Sequence, residues 1–181
     1  MNLILYGFKS CGKTTLGQRV AKLMNCAFYD TDNLVESLHQ LKTGQCISAR
    51  EIFTNEGELY FRELERQVLF LIANVENSII AIGGGLILDP FNRGLLEKIG
   101  KLVYLKVKKE IIKKRIFTKP HYSNLPGFLD VSHPEESFEQ IFQKRSAIYE
   151  QIVAYTLIIE DQKGDGRILS ELESLWLKHG K

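Results

Sequence analysis

The sequence predicts an α/β fold, a parallel sheet with helices on both faces, and three observations carry that expectation. Short apolar runs recur at Leu3-Ile4-Leu5-Tyr6, Ala27-Phe28-Tyr29, Ile79-Ile80-Ala81-Ile82, Leu102-Val103-Tyr104-Leu105 and Leu157-Ile158-Ile159. The stretches between them space their apolar residues three or four apart, and strands alternating with helical patterns build parallel sheets. Directly behind the first run stands Gly7-Phe8-Lys9-Ser10-Cys11-Gly12-Lys13-Thr14, a complete phosphate-binding loop after a strand and before a helix.

Each element has its own signal. Glycines let the loop curl so that successive amides point at phosphate oxygens, Lys13 adds a positive charge for the β- and γ-phosphates, and the Thr14 hydroxyl can ligate magnesium. From Thr15 onward Leu16, Val20, Leu23 and Met24 mark a helix whose N-terminus also faces the phosphates. Asp30-Thr31-Asp32 ends the second run, where open α/β sheets place ligands. Two acids one residue apart can divide metal binding from orienting or deprotonating a hydroxyl. One of them can instead cap a helix beginning near Asn33. Residues 57–74 carry Leu59, Leu64, Val68, Leu69, Leu71 and Ile72, a stripe suited to covering the sheet. Gly83-Gly84-Gly85 follows the third run and suits either close approach by a ligand or a turn.

Pro90 opens a helix with Phe91, Leu95 and Leu96, and Pro134-Glu135-Glu136 opens another with Phe138, Ile141 and Phe142. A last amphipathic stretch holds Ile168, Leu169, Leu172, Leu175 and Trp176, with Trp176 read as packing. Between Phe117 and His133 the pattern breaks into a loop with two prolines, a glycine and several polar residues, read as a lid that excludes water. The arginines Arg62 and Arg145 are solvated helix positions or, with the site, bidentate partners for a carboxylate or phosphate.

Composition narrows the function. The 181 residues are 44% hydrophobic, enough for one compact domain, and 24 Lys+Arg against 22 Asp+Glu leave a formal net charge of +2. That balance demands neither nucleic acid nor a membrane surface. The N-terminus enters a strand without a signal-peptide pattern, and three scattered cysteines fit a reducing cytoplasm, so a cytoplasmic location is expected; small size and a self-contained site make a monomer the expectation. Cys11 is read as a small spacer in the loop, and the four histidines lack metal-ligand spacing.

Taken together, the motifs resemble those of the shikimate kinase family over nearly the whole chain. The resemblance rests on Gly7 to Thr14, on Asp30-Thr31-Asp32 followed by Glu36, and on Ile52-Phe53 with Glu56-Gly57. Phe61-Arg62-Glu63-Leu64-Glu65, Gly83-Gly84-Gly85, and Arg145 with Tyr149 complete it. It implies a three-layer α/β/α domain around a five-stranded parallel sheet, of the nucleoside-monophosphate-kinase-like phosphate-loop class. One domain over 1–181 is expected, with a core of 1–30 and 75–107, a substrate-binding segment 31–74 and a lid at about 117–133.

The implied activity is ATP-dependent phosphorylation of the 3-hydroxyl of shikimate, a step toward aromatic amino acids. By the resemblance Ser10, Cys11, Gly12, Lys13, Thr14, Thr15 and Arg115 bind nucleotide, and Thr14 with Asp30 holds Mg2+. Asp32, Arg62, Gly84, Gly85, Arg145, Phe53 and Phe61 bind shikimate, with Glu65 orienting Arg62. Lys13, Asp32 and Lys119 are the catalytic residues. Lys119 stands in for the arginine the family places before a proline in its lid, since this chain has Lys119-Pro120 and no arginine between Arg115 and Arg145. Ser10 replaces a frequent loop glycine. The alternatives are another small-molecule kinase of this fold, such as a gluconate kinase, and a non-catalytic nucleotide-binding module. The first need not use both arginines, and the second leaves the paired acids without a role.

Overall fold

A computed structural model describes residues 1–118, 125–160 and 165–179. Five strands, β1 (Asn2–Tyr6), β2 (Ala27–Asp30), β3 (Ser78–Ala81), β4 (Lys101–Val107) and β5 (Tyr155–Ile159), form one all-parallel sheet in the order β2-β3-β1-β4-β5. Eight helices surround it among the described residues: α1 (Lys13–Met24), α2 (Thr31–Thr43), α3 (Ala49–Glu56), α4 (Glu58–Leu71), α5 (Pro90–Ile99), α6 (Lys109–Phe117), α7 (Pro134–Tyr149) and α8 (Asp165–His179). This is the expected three-layer α/β/α arrangement.

Leu3, Ile4, Leu5 and Tyr6 are fully buried because β1 lies mid-sheet, covered on both faces, so its sequence is continuously apolar instead of alternating. Connections to β1's left and right diverge there, which puts the crevice for ligands just beyond its carboxyl end. Register sharpens this placement. Ala81 of β3 stands opposite Leu5 of β1 on one side and Asp30 of β2 on the other, so the three strands end level. The loops that follow them leave from one line.

Helix starts obey local chemistry. Asp89 caps α5 through the Asn92 amide with Pro90 in the first turn, and Ser48 with Glu51 forms a reciprocal capping box on α3. Asp30 caps α2 by accepting the Asp32 amide, so the helix starts at Thr31, two residues before the position expected. α1 differs: its N-cap is Gly12 at φ 103, which brings no capping side chain and leaves the first-turn amides for a ligand.

One sequence expectation needs correction. The stripe on α4 does not all face the sheet: Leu59 is 89% exposed and Leu71 is exposed as well. Phe61, Leu64 and Val68 instead join Val35 of α2 and Ile52 of α3 in a small apolar cluster of their own, while Leu69 and Ile72 reach the main core. A helix held between two neighbours buries a narrower arc than its apolar residues span. Trp176 is buried in the main core, as its helical spacing suggested.

Asn2 fastens the start of β1. Its Nδ2 donates to the carbonyls of Val75 (2.6 Å) and Ile99 (2.9 Å), and its Oδ1 accepts from the Ser78 amide (3.1 Å) and hydroxyl (2.9 Å). Asn2→Ala would strand these groups in the interior, so we predict a loss of about 2–4 kcal/mol in urea unfolding, with turnover per folded molecule retained.

Candidate active site

The crevice beyond the sheet holds two adjoining cavities. The first, of about 550 Å3, is lined by Ser10, Cys11, Gly12, Lys13, Thr14, Thr15, Asp30 and Arg115, the residues expected to meet nucleotide and metal. Lys13 Nζ donates to the Gly7 and Phe8 carbonyls at 3.1 Å each, and Arg115 Nη1 donates to the Ser10 carbonyl at 2.9 Å. Ser10 sits at φ 66, the left-handed region that explains why a glycine is favoured there. Cys11 is buried beneath the loop with its sulfur 3.8 Å from Lys13 Nζ, in keeping with a spacer.

Thr14 Oγ1 donates to Asp30 Oδ2 at 2.6 Å, while the other oxygen of Asp30 caps α2. Asp30 therefore caps the helix, one of the readings left open by the sequence, with one oxygen still beside Thr14. A hydroxyl and a carboxylate side by side match Mg2+, which prefers hard oxygen donors and keeps waters and substrate phosphates in its remaining positions. Among the described residues no set of three His, Cys, Asp or Glu side chains gathers as a fuller protein cage.

The second cavity, of about 310 Å3, is lined by Asp32, Phe53, Phe61, Arg62, Gly84, Gly85 and Arg145, the whole set expected for substrate. Phe53 and Phe61 meet edge to face at 5.5 Å between ring centres. Arg62 lies near both rings and against Gly85, where a Cβ would push the guanidinium from its present position. Arg145 is buried with its guanidinium 4.1 Å from the Phe128 ring centre and 5.7 Å from that of Phe8. Such stacking holds a desolvated cation without neutralising it. Tyr149 donates its hydroxyl to the Gly84 carbonyl at 2.6 Å and fixes that loop.

Glu65 stands behind Arg62, 2% exposed, accepting from its Nη1 at 2.6 Å, while Glu58 accepts from Nε and Nη2. Burial pushes the Glu65 carboxyl up to about 7, and the neighbouring guanidinium offsets only part of this. Burial also lowers the proton affinity of Arg145, whereas on Arg62 it is outweighed by Glu65 and Glu58. The Tyr149 hydroxyl is raised, again by burial.

Several contributors escaped the sequence reading. Thr31 Oγ1 accepts the Gly83 amide at 2.9 Å and ties the α2 start to the glycine run. Phe128 lies in the loop read as a lid, and the aromatic residue among its prolines was the available signal. Lys9 lines both cavities and lies 3.6 Å from Asp32 Oδ2. Lys119 falls outside the described residues, as does part of the 117–133 segment.

A model of the family described as shikimate kinase matches residues 9–175. The chain belongs to the shikimate kinase family. A shikimate kinase of Caldanaerobacter subterraneus is 35% identical over 162 residues, covering 89% of this chain and 88% of that protein. Among solved structures, shikimate kinase from Acinetobacter baumannii in complex with shikimate is similar at a TM-score of 0.78 and 29% identity, over 98% of this chain and 93% of that one. The enzyme from Bacteroides thetaiotaomicron gives the same TM-score and identity over 97% of each chain. Family membership thus extends over both cavities.

The raised Glu65 carboxyl makes stability depend on pH. Its folded value of about 7 exceeds the ordinary 4.5, so native protein holds a proton that unfolded chain releases. The contribution is complete below the lower value and lost as pH rises through the upper one. Glu65→Gln removes this titration. Between about pH 5 and about pH 8 wild type should lose stability relative to the variant in urea unfolding, and a constant difference between them would contradict the assignment.

Proposed function

We propose that the protein transfers the γ-phosphoryl group of ATP to the 3-hydroxyl of shikimate. The carrying observation is that a phosphate-loop cavity and a cavity with two arginines share Asp32 at their junction. Membership in the shikimate kinase family supports this reading, and a relative's complex with shikimate supports the choice of acceptor.

Within that reading the described residues divide the work. Amides of the loop and of the uncapped α1 N-terminus receive phosphate oxygens, and Lys13 leaves its two carbonyl partners for the β- and γ-phosphates. Thr14 and Asp30 hold Mg2+, which when bound neutralises phosphate charge. Arg62 and Arg145 grip the substrate carboxylate, and Phe53 and Phe61 wall its ring. A ligand lacking the carboxylate would leave the buried Arg145 without an anionic partner, which gives selectivity. Asp32 receives the hydroxyl proton as oxygen attacks phosphorus. Segment 31–74, with its own apolar cluster, serves as the substrate-binding part, and 117–133 as a lid in which Lys119 keeps its proposed catalytic role.

Coupled ADP release should therefore proceed with shikimate and fall away with shikimate lacking its carboxylate, or with gluconate. Arg62→Ala is expected to raise the shikimate KM by roughly 10–100-fold with the ATP KM little changed. Asp32→Asn should keep ATP binding while lowering kcat by roughly 100–10,000-fold. Equal effects of Arg62→Ala on both Michaelis constants would contradict carboxylate recognition.

A further inference from the structure

We propose that Lys9 is a further catalytic cation for phosphoryl transfer, acting on the group in flight where the two cavities meet; this rests on the reading above. Lys9, Asp32 and Gly84 are the residues that line both cavities, so a phosphoryl group moving from one ligand to the other passes between them. Of the three, Lys9 alone brings positive charge.

Three other cations of the two cavities are committed elsewhere. Arg62 is held by Glu58 and Glu65, and Arg145 lies over the Phe128 ring with Phe8 nearby, within the substrate cavity. Lys13 is seated on the loop carbonyls of the first cavity. Lys9 instead has a side chain 55% exposed and lies 3.6 Å from Asp32 Oδ2, beyond a good hydrogen bond. A flexible, weakly held ammonium can turn to a new anion at small cost.

The step balances without further reactants. The bond from γ-phosphorus to the β-γ bridging oxygen breaks, and its electron pair stays on ADP. The acceptor oxygen forms the new bond to phosphorus and releases its proton to the Asp32 carboxylate. Lys9 leaves Asp32 for an equatorial oxygen of the transferring group, so the move neutralises charge on that group and uncovers the carboxylate that takes the proton.

The test compares wild type with Lys9→Met, which keeps the stem and removes the charge, and with Lys9→Arg. Lys9→Met should lower kcat by roughly 10–100-fold with both KM values moving less than about threefold, and Lys9→Arg should recover most of the loss. Calorimetry supplies the second readout. Affinity for ADP with aluminium fluoride and shikimate, which mimics the planar group in flight, should fall by a similar factor while affinity for ADP alone holds. That fall should persist in an Asp32→Asn background. A kcat within about twofold of wild type, an equal fall for ADP alone, or no fall once Asp32 is replaced would each overturn the proposal. Wild type that turns over ATP but not shikimate would instead overturn the functional reading, and the proposal with it.

Discussion

Three parallel strands ending on one line constrain everything else in this molecule. Ala81 stands level with Leu5 and Asp30, so the chain emerging from β1, β2 and β3 has to share one strip of surface. The phosphate loop, the Asp30-Thr31-Asp32 turn and the glycine run meet there although up to roughly 80 residues separate them. The Thr31 hydroxyl holding the Gly83 amide then locks two of those segments together. Parallel pairing buries the strands on both faces, leaving their carboxyl ends as the place where polar groups can converge.

Electrostatics in the second cavity follow from that convergence. Two guanidinium groups in a partly buried space repel each other, and neither is simply neutralised. Arg62 has Glu65 behind it and Glu58 beside it, while Arg145 lies over the Phe128 ring with Phe8 nearby. The result is a cavity lined by more cationic than anionic side chains, which suits an anionic ligand. Preorganisation of this kind places the desolvation cost in folding and leaves more of the binding energy for recognition.

Much of this was legible in the residues. The five apolar runs marked the five strands, Pro90 and Pro134 marked helix starts, and the loop from Gly7 to Thr14 announced phosphate binding. Other features lacked a local signature. Periodicity names a helix face but not how wide an arc its neighbours cover, so Leu59 and Leu71 were assigned to an interface they do not reach. Asp30 satisfies a helix cap with one oxygen and Thr14 with the other, a double duty no spacing rule separates. Thr31 acts on a backbone amide 52 residues away, and Lys9 reads in sequence as one more surface lysine. Interactions between distant segments emerge from register, which is set only when the sheet is assembled.

The central claim is that the junction at Asp32 is where an acceptor hydroxyl meets a phosphate chain. A crystal structure with shikimate and an ATP analogue that cannot transfer its terminal phosphate tests it most directly. The account predicts the 3-hydroxyl roughly 2.6–3.2 Å from the Asp32 carboxylate, the shikimate carboxylate on Arg62 and Arg145, and the terminal phosphate facing that hydroxyl. Shikimate seated away from Asp32, or with its carboxylate turned from both arginines, would contradict it.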